Sequence, residues 1–381
     1  HTLQELQVLY SDGQKAQVEG RYSDAIAIFL NLVKICEADN KPIALSGVLN
    51  ELGGCYMLSG EFDKALETFN RSIQLKKENR QLADLLPSLN NLANLFYTFG
   101  NNDKALEYFQ MGTEILPEVT DNKSKGEFLF NLGYFHYSIK NYDEATKIIS
   151  QSMPLLVASK SNDYLASASY TMAELCFRIK DYDQATTYLD QAMASQRKQK
   201  RFDDLSKSFN LAALIAEAKG DIMKATISFQ LSADIVPQGK ESKGTTTALY
   251  NLGRLYMNQK DYAQAETALL KAIDITEKLR TGATGSIRRD FMEQQIYTYQ
   301  YLTTIYLRNN QPEKAFNNVE IMSGKYLVDQ LGGKMKAQSV EYADIAKYRL
   351  QMDTKTAVLC FSNVSLSAIS SDYIGIASFC A

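Results

Sequence analysis

The sequence contains no tryptophan and only two histidines, His1 and His136. Two imidazoles are too few for a histidine-built metal centre, and a nucleophile that depends on a histidine base is equally unexpected. Proline and glycine are scarce, at 6 and 20 in 381 residues, which excludes a disordered or low-complexity chain. No run of eighteen apolar residues occurs, so no segment can span a membrane as a helix. Neither charge sign dominates: the net charge is −3 with both signs interspersed, giving no electrostatic case for nucleic acid or an anionic membrane. The five cysteines, Cys36, Cys55, Cys176, Cys360 and Cys380, are scattered, odd in number and without C-x-x-C spacing. Reduced thiols in a reducing compartment follow, and with them a cytoplasmic location. The chain begins at His1 rather than Met, so a processed or cut segment is expected, compatible also with a removed signal peptide.

What is present is repetition. The stretches "GRYSDAIAIF", "GEFDKALETF", "GNNDKALEYF", "KNYDEATKII", "KDYDQATTYL", "GDIMKATISF" and "KDYAQAETAL" carry a shared alanine at Ala25, Ala65, Ala105, Ala145, Ala185, Ala225 and Ala265, each 40 residues from the next. An eighth copy, "NQPEKAFNNV", places Ala315 after a spacing of 50. Upstream of each junction lies a second block, as in "LNELGGCY", "LNNLANLF", "LFNLGYFH" and "LYNLGRLY". It contributes a small residue (Gly13, Gly53, Ala93, Gly133, Ala173, Ala213, Gly253) and, three residues later, usually an aromatic one (Tyr56, Phe96, His136, Tyr256, Tyr306).

These marks resemble the tetratricopeptide repeat, a helix–turn–helix unit with L-G-x-x-Y in its first helix and A-x-x-x-F in its second. The resemblance covers residues 1 to about 320. It implies an all-α, right-handed superhelix of about eight helix pairs over residues 1–335, because no single repeat buries its apolar face alone. The small residue lets the two helices approach, and Phe29, Phe69, Phe109 and Phe229 fill the space between repeats. Gly or a short polar pair closes the turns, where a left-handed residue is needed. The period of 40 exceeds the usual repeat, which predicts longer helices.

Several eye-catching residues have plain explanations. His136 occupies the aromatic position and is expected as a packed histidine. Cys176 stands at the same position and is expected as a small buried hydrophobe. "GSIRRDF", from Gly285, is a solvated helix start. "TGATG", from Thr281, lacks the lysine and strand of a phosphate loop and is expected as the linker that makes the ten-residue insertion. No catalytic residue, metal ligand or cofactor site is assigned.

Binding residues are sought on the first helices, which line the concave face in this class of repeat. Their candidate face holds Asn50, Asn90, Asn91, Asn94, Tyr97, Phe130, Asn131, Tyr134, Tyr137, Tyr170, Asn210, Tyr250, Asn251 and Arg254. Asparagine offers donors and an acceptor that match peptide amides, and aromatic rings give flat apolar area at low entropic cost. The pattern is similar to the asparagine ladder of kinesin light chains and Pins-type repeat proteins, and it lacks the basic carboxylate clamp of chaperone-binding repeats. It predicts a protein or extended peptide as partner, without nucleic acid or membrane. The alternative for Asn91, Asn131 and Asn251 is that they only bond the preceding helix.

The last segment, "TAVLCFSNVSLSAISSDYIGIASFCA" from Thr356, alternates apolar and small polar residues like the start of a sheet. Together with Glu320, Lys325, Leu327, Leu331 and "YADIAKYRLQMDTKTAVLCFSNV", it resembles the junction at which tetratricopeptide repeats meet a CHAT domain, a caspase-like cysteine peptidase. That resemblance implies a helix near 340–352 and an incomplete β-containing domain over 336–381, with association through its strand edge. It makes the repeats the regulatory module of a protease. No histidine follows His136, so no hydrolysis is expected of this chain alone. The alternative is a scaffold or adaptor for an extended peptide, with no protease partner.

Overall fold

The computed structural model describes residues 3–237, 242–281 and 285–330. Among them every regular element is an α-helix, sixteen in all. The expected strand-like tail, the helix near 340–352, Leu331, Cys360 and Cys380 lie outside the described residues, as do the side chains of Glu320, Lys325 and Leu327.

The chain divides into two units at Ser195/Gln196. The first contains α1 (Leu3–Val18), α2 (Tyr22–Ala38), α3 (Pro42–Leu58), α4 (Phe62–Glu78), α5 (Leu82–Thr98), α6 (Asn102–Ile115), α7 (Asn122–Ser138), α8 (Tyr142–Ala158) and α9 (Asn162–Arg178), with α10 (Tyr182–Lys198) running across the boundary. The second contains α11 (Phe202–Ala218), α12 (Ile222–Asp234), α13 (Lys243–Asn258), α14 (Tyr262–Thr281), α15 (Gly285–Arg308) and α16 (Pro312–Gln330). Each is a stack of helix pairs, an all-α solenoid built of tetratricopeptide-type units.

The period of 40 has a simple origin. Most helices have 17 residues and are followed by a three-residue turn. After twelve of the helices the residue beyond the C-cap adopts the left-handed conformation, at Gly20, Asn40, Gly60, Arg80, Gly100, Lys140, Lys160, Lys180, Lys200, Gly220, Lys260 and Asn310. The turn closes by a hydrogen bond back into the last helical turn, as where Glu61 N–H donates to the Tyr56 carbonyl at 2.8 Å. Glycine or a polar pair was expected at these turns; glycine holds the left-handed position at four of them and lysine, arginine or asparagine at the other eight. Pro117 and Pro237 follow the two shortest second helices, α6 and α12, of 14 and 13 residues. The ten-residue insertion is taken up mainly as helix: α14 has 20 residues and α15 has 24.

Helix α4 shows how one sequence makes one element. Ala65, Phe69 and Ile73 fall on one stripe with Thr68, Ser72 and Lys76, and all are buried. Asp63 in the first turn and Lys76 and Lys77 in the last complement the helix dipole. Packing then depends on the small residue of the first helix. A Cβ on Gly13 would come within 2.8 Å of the Phe29 ring, on Gly133 within 2.6 Å of Ile149, and on Gly253 within 2.6 Å of Leu269. Phe29, Phe69, Phe109 and Phe229 have no exposed surface, as the repeat pattern requires.

Candidate functional site: the face of the first helices

In each unit the first helices of successive pairs touch: α1 with α3, α3 with α5, α5 with α7 and α7 with α9, then α11 with α13 and α13 with α15. Within each unit they therefore form a continuous layer, and the candidate residues all belong to these helices.

At the start of the first unit the asparagines form a rung. Asn50 Oδ1 accepts from Ser88 Oγ at 2.8 Å and from Asn91 Nδ2 at 3.3 Å. Behind it, the buried Lys76 donates to Ser88 Oγ at 2.7 Å. Burial pushes the Lys76 ammonium down to about 8, opposed by the carboxylates of Asp84 and Glu51. Burial likewise raises Glu51, which is hydrogen-bonded to Tyr10 and Asn50. The same rung recurs in the second unit, where Asn251 Nδ2 donates to Asn210 Oδ1 at 2.9 Å. Helix-to-helix bonding by Asn91 and Asn251 is thus observed.

Asn90 lies under the face, 8% exposed, and its Oδ1 has no hydrogen-bond partner. Asn131 could have supplied the next rung but hydrogen-bonds Tyr164, whose ring packs edge-on to Phe130 at 5.8 Å. Phe130 is itself buried. Asn94, Tyr97 and Tyr134 reach the surface.

An aromatic patch follows. Tyr134 stacks on Tyr137 at 5.9 Å and leans on Phe130 at 6.0 Å, and Tyr97 meets Phe135 edge-on at 5.8 Å. The hydroxyls of Tyr137 and Tyr170 both donate to Glu174, one to each carboxylate oxygen, at 3.0 Å. Burial first, then the Glu174 charge, raises both phenols well above their ordinary range. In the second unit Tyr250 packs against Tyr301 at 5.7 Å and is pushed up to about 12, chiefly by burial. Arg254 makes a two-pronged bond to Glu217, at 2.8 and 2.5 Å, and that bond raises its pKa further.

Glu51, Glu217, Lys76, Tyr164 and Tyr301 were not among the candidates drawn from the sequence. Only the bonding partners of the asparagines, tyrosines and arginine bring them in. His136 is half-buried rather than core, with Nδ1 3.3 Å from Asn141 Nδ2, and burial lowers its pKa. Cys176 is half-buried, and burial raises its thiol. Among the described residues no group of three or more His, Cys, Asp or Glu side chains could hold a metal, and no helix is long and apolar enough to cross a membrane.

A family model described as tetratricopeptide repeat matches residues 43–118 and 127–198, and a second model of the same description matches 246–279. No curated protein matches the chain. Among solved structures, the apo form of the quorum sensor NprR from B. thuringiensis is similar with a TM-score of 0.56 at 17% identity, over 71% of this chain and 76% of that one. A Rap protein complexed with competence and sporulation factor is similar at 0.50 and 16% identity, over 86% and 99%. BtubC from P. vanneervenii is similar at 0.50 and 14% identity, over 59% and 94%. At such identities the likeness concerns the fold.

Proposed function

Because the chain is a tetratricopeptide repeat protein whose first helices form a continuous layer in each unit, we propose that it is a binding scaffold for an extended peptide segment of a partner protein. The observation that carries this reading is the composition of that layer. Asn94, Tyr97 and Tyr134 are exposed on it, Tyr134 is stacked on Tyr137, and the described residues there include no row of cations. Amide groups can bond a peptide backbone, and the rings can cover its side chains. A solved Rap protein of similar fold is complexed with competence and sporulation factor, which supports a role in capturing a partner.

The finer reading, a regulatory module for a caspase-like protease, rests on residues 320–381 alone. None of the similar proteins supports it, so the scaffold reading is preferred. The same proposal assigns no reaction to this chain. Burial raises the thiols of Cys36, Cys55 and Cys176, which opposes the thiolate that a cysteine nucleophile requires.

The test is selection of binders from a random peptide library displayed against the whole chain. The affinities of the winners are then measured for wild type and for a variant combining Asn94→Ala, Tyr97→Ala and Tyr134→Ala. Two lost stacking contacts and one lost amide should weaken binding by roughly a hundredfold, with little change in melting temperature. Binding that is unchanged in the variant would remove this face as the site.

A further inference from the structure

The fifth repeat holds a feature that the peptide-binding proposal does not use. Between α8, α9 and α10 in the first unit lies a cavity of about 490 Å³, within the size range of small-molecule sites. The repeat explains why it exists. Residue 169 belongs to a series that reads Leu9, Leu49, Leu89, Leu129, Ser169, Phe209, Leu249. Residue 195 belongs to a second that reads Ile35, Leu75, Ile115, Leu155, Ser195, Ile235, Ile275. The fifth repeat alone replaces both large apolar side chains by serine, one on each of its helices, and both serines line the cavity.

The lining has a definite chemistry. Met153, Pro154, Leu165 and Tyr188 supply apolar wall, and no lining residue is charged. Ser169 is 1% exposed, yet its Oγ has no hydrogen-bond partner. Buried hydroxyls are ordinarily paired, so an orphan one lining a cavity points to a partner that enters from outside. Pro154, inside α8, has no N–H to give the carbonyl of Ser150, which also lines the cavity. Ser195 Oγ is already engaged with the Asn162 carbonyl at 3.4 Å and leaves its former aliphatic volume empty.

We propose that this cavity binds a neutral organic molecule. Its apolar body fills the volume of the two missing aliphatic side chains, and its one polar group bonds Ser169 Oγ. An ionised ligand is disfavoured, because nothing in the lining compensates a buried charge.

The experiment titrates the full chain with 1-naphthol, followed by its fluorescence, beside 1-naphthoate as the charged analogue. Saturable binding of 1-naphthol is expected, with 1-naphthoate weaker by at least about tenfold because its charge is left unpaired. Ser169→Leu and Ser195→Ile restore the residues of the other repeats and should abolish saturable binding while helical circular dichroism is retained. Ser169→Ala keeps the space but removes the hydroxyl, and should weaken 1-naphthol several-fold. Should Ser169→Leu fail to fold, Ser195→Ile, at a half-buried position, and Ser169→Ala decide. Absence of saturable binding to wild type, or undiminished binding by Ser195→Ile, overturns the proposal.

Discussion

The ring of Phe69 in α4 lies so close over Gly53 in α3 that a Cβ on the glycine would stand 2.7 Å from two ring carbons. The same helix carries a second glycine, Gly47, around which a Cβ would meet nothing within 4 Å. The two therefore respond oppositely to one methyl group. Gly53→Ala must push the aromatic ring or spread the helix pair, and should cost about 1–3 kcal/mol. Gly47→Ala gains helix propensity without a clash and should stabilise by about 0.5–1 kcal/mol. Urea denaturation of both variants checks this; equal effects would remove the close approach as the reason for the small residue.

Asn91 and Asn94 are one helical turn apart but differ in what they bond. Asn91 holds Asn50 across neighbouring helices, whereas Asn94 is exposed. Asn91→Ala should lower stability by about 1 kcal/mol, the net worth of one hydrogen bond. Asn94→Ala should leave the unfolding midpoint unchanged and reduce only peptide affinity. Unfolding and binding, measured on the same two variants, separate the structural rung from the exposed contact.

Lys76 gives stability a dependence on alkaline pH. Its ordinary pKa is near 10.5 and burial lowers it to about 8 in the fold. Between these values the unfolded chain binds the proton and the folded chain does not, so stability rises with pH over that window. Below about pH 8 both states are protonated and the full cost of the buried ammonium is present. Lys76→Met, which keeps the length and removes the charge, should be more stable than wild type at pH 7 by on the order of 3 kcal/mol. The gap should close as pH approaches 10. Thermal melts across pH 7–10 test the sign; a gap that stays constant would show that packing rather than charge is responsible.

Lys160 ends α8 in the left-handed conformation, at φ 56°, as Gly60 ends α3 at φ 82°. A side chain there costs about 1–2 kcal/mol that glycine avoids. Lys160→Gly should therefore stabilise, offset in part by the greater freedom of glycine in the unfolded chain. A net gain of about 0.5 kcal/mol is expected by chemical denaturation. Lys160→Val, β-branched at the same φ, should instead destabilise.

The helix pairs, their number and their phase were legible because each repeat states them locally. Ala65, Phe69 and the turn at Gly60 recur 40 residues on as Ala105, Phe109 and Gly100. The contact between a small residue and the large one sixteen positions later is settled within a single pair. Which residues belong to the first helices was legible in the same way. Tertiary structure alone decided what those residues do there. The rungs join residues 41 apart, Asn50 with Asn91 and Asn210 with Asn251, one position off the repeat. At the intervening place Asn131 bonds Tyr164 instead, and Asn90 is left buried without a partner for its Oδ1. The glutamates that hold Tyr137, Tyr170 and Arg254 likewise come from the adjacent repeat or the adjacent turn. Periodicity specifies which side of a helix a residue occupies. Which group it meets across the gap depends on how the neighbouring helix is placed, and that is fixed by the summed packing of both.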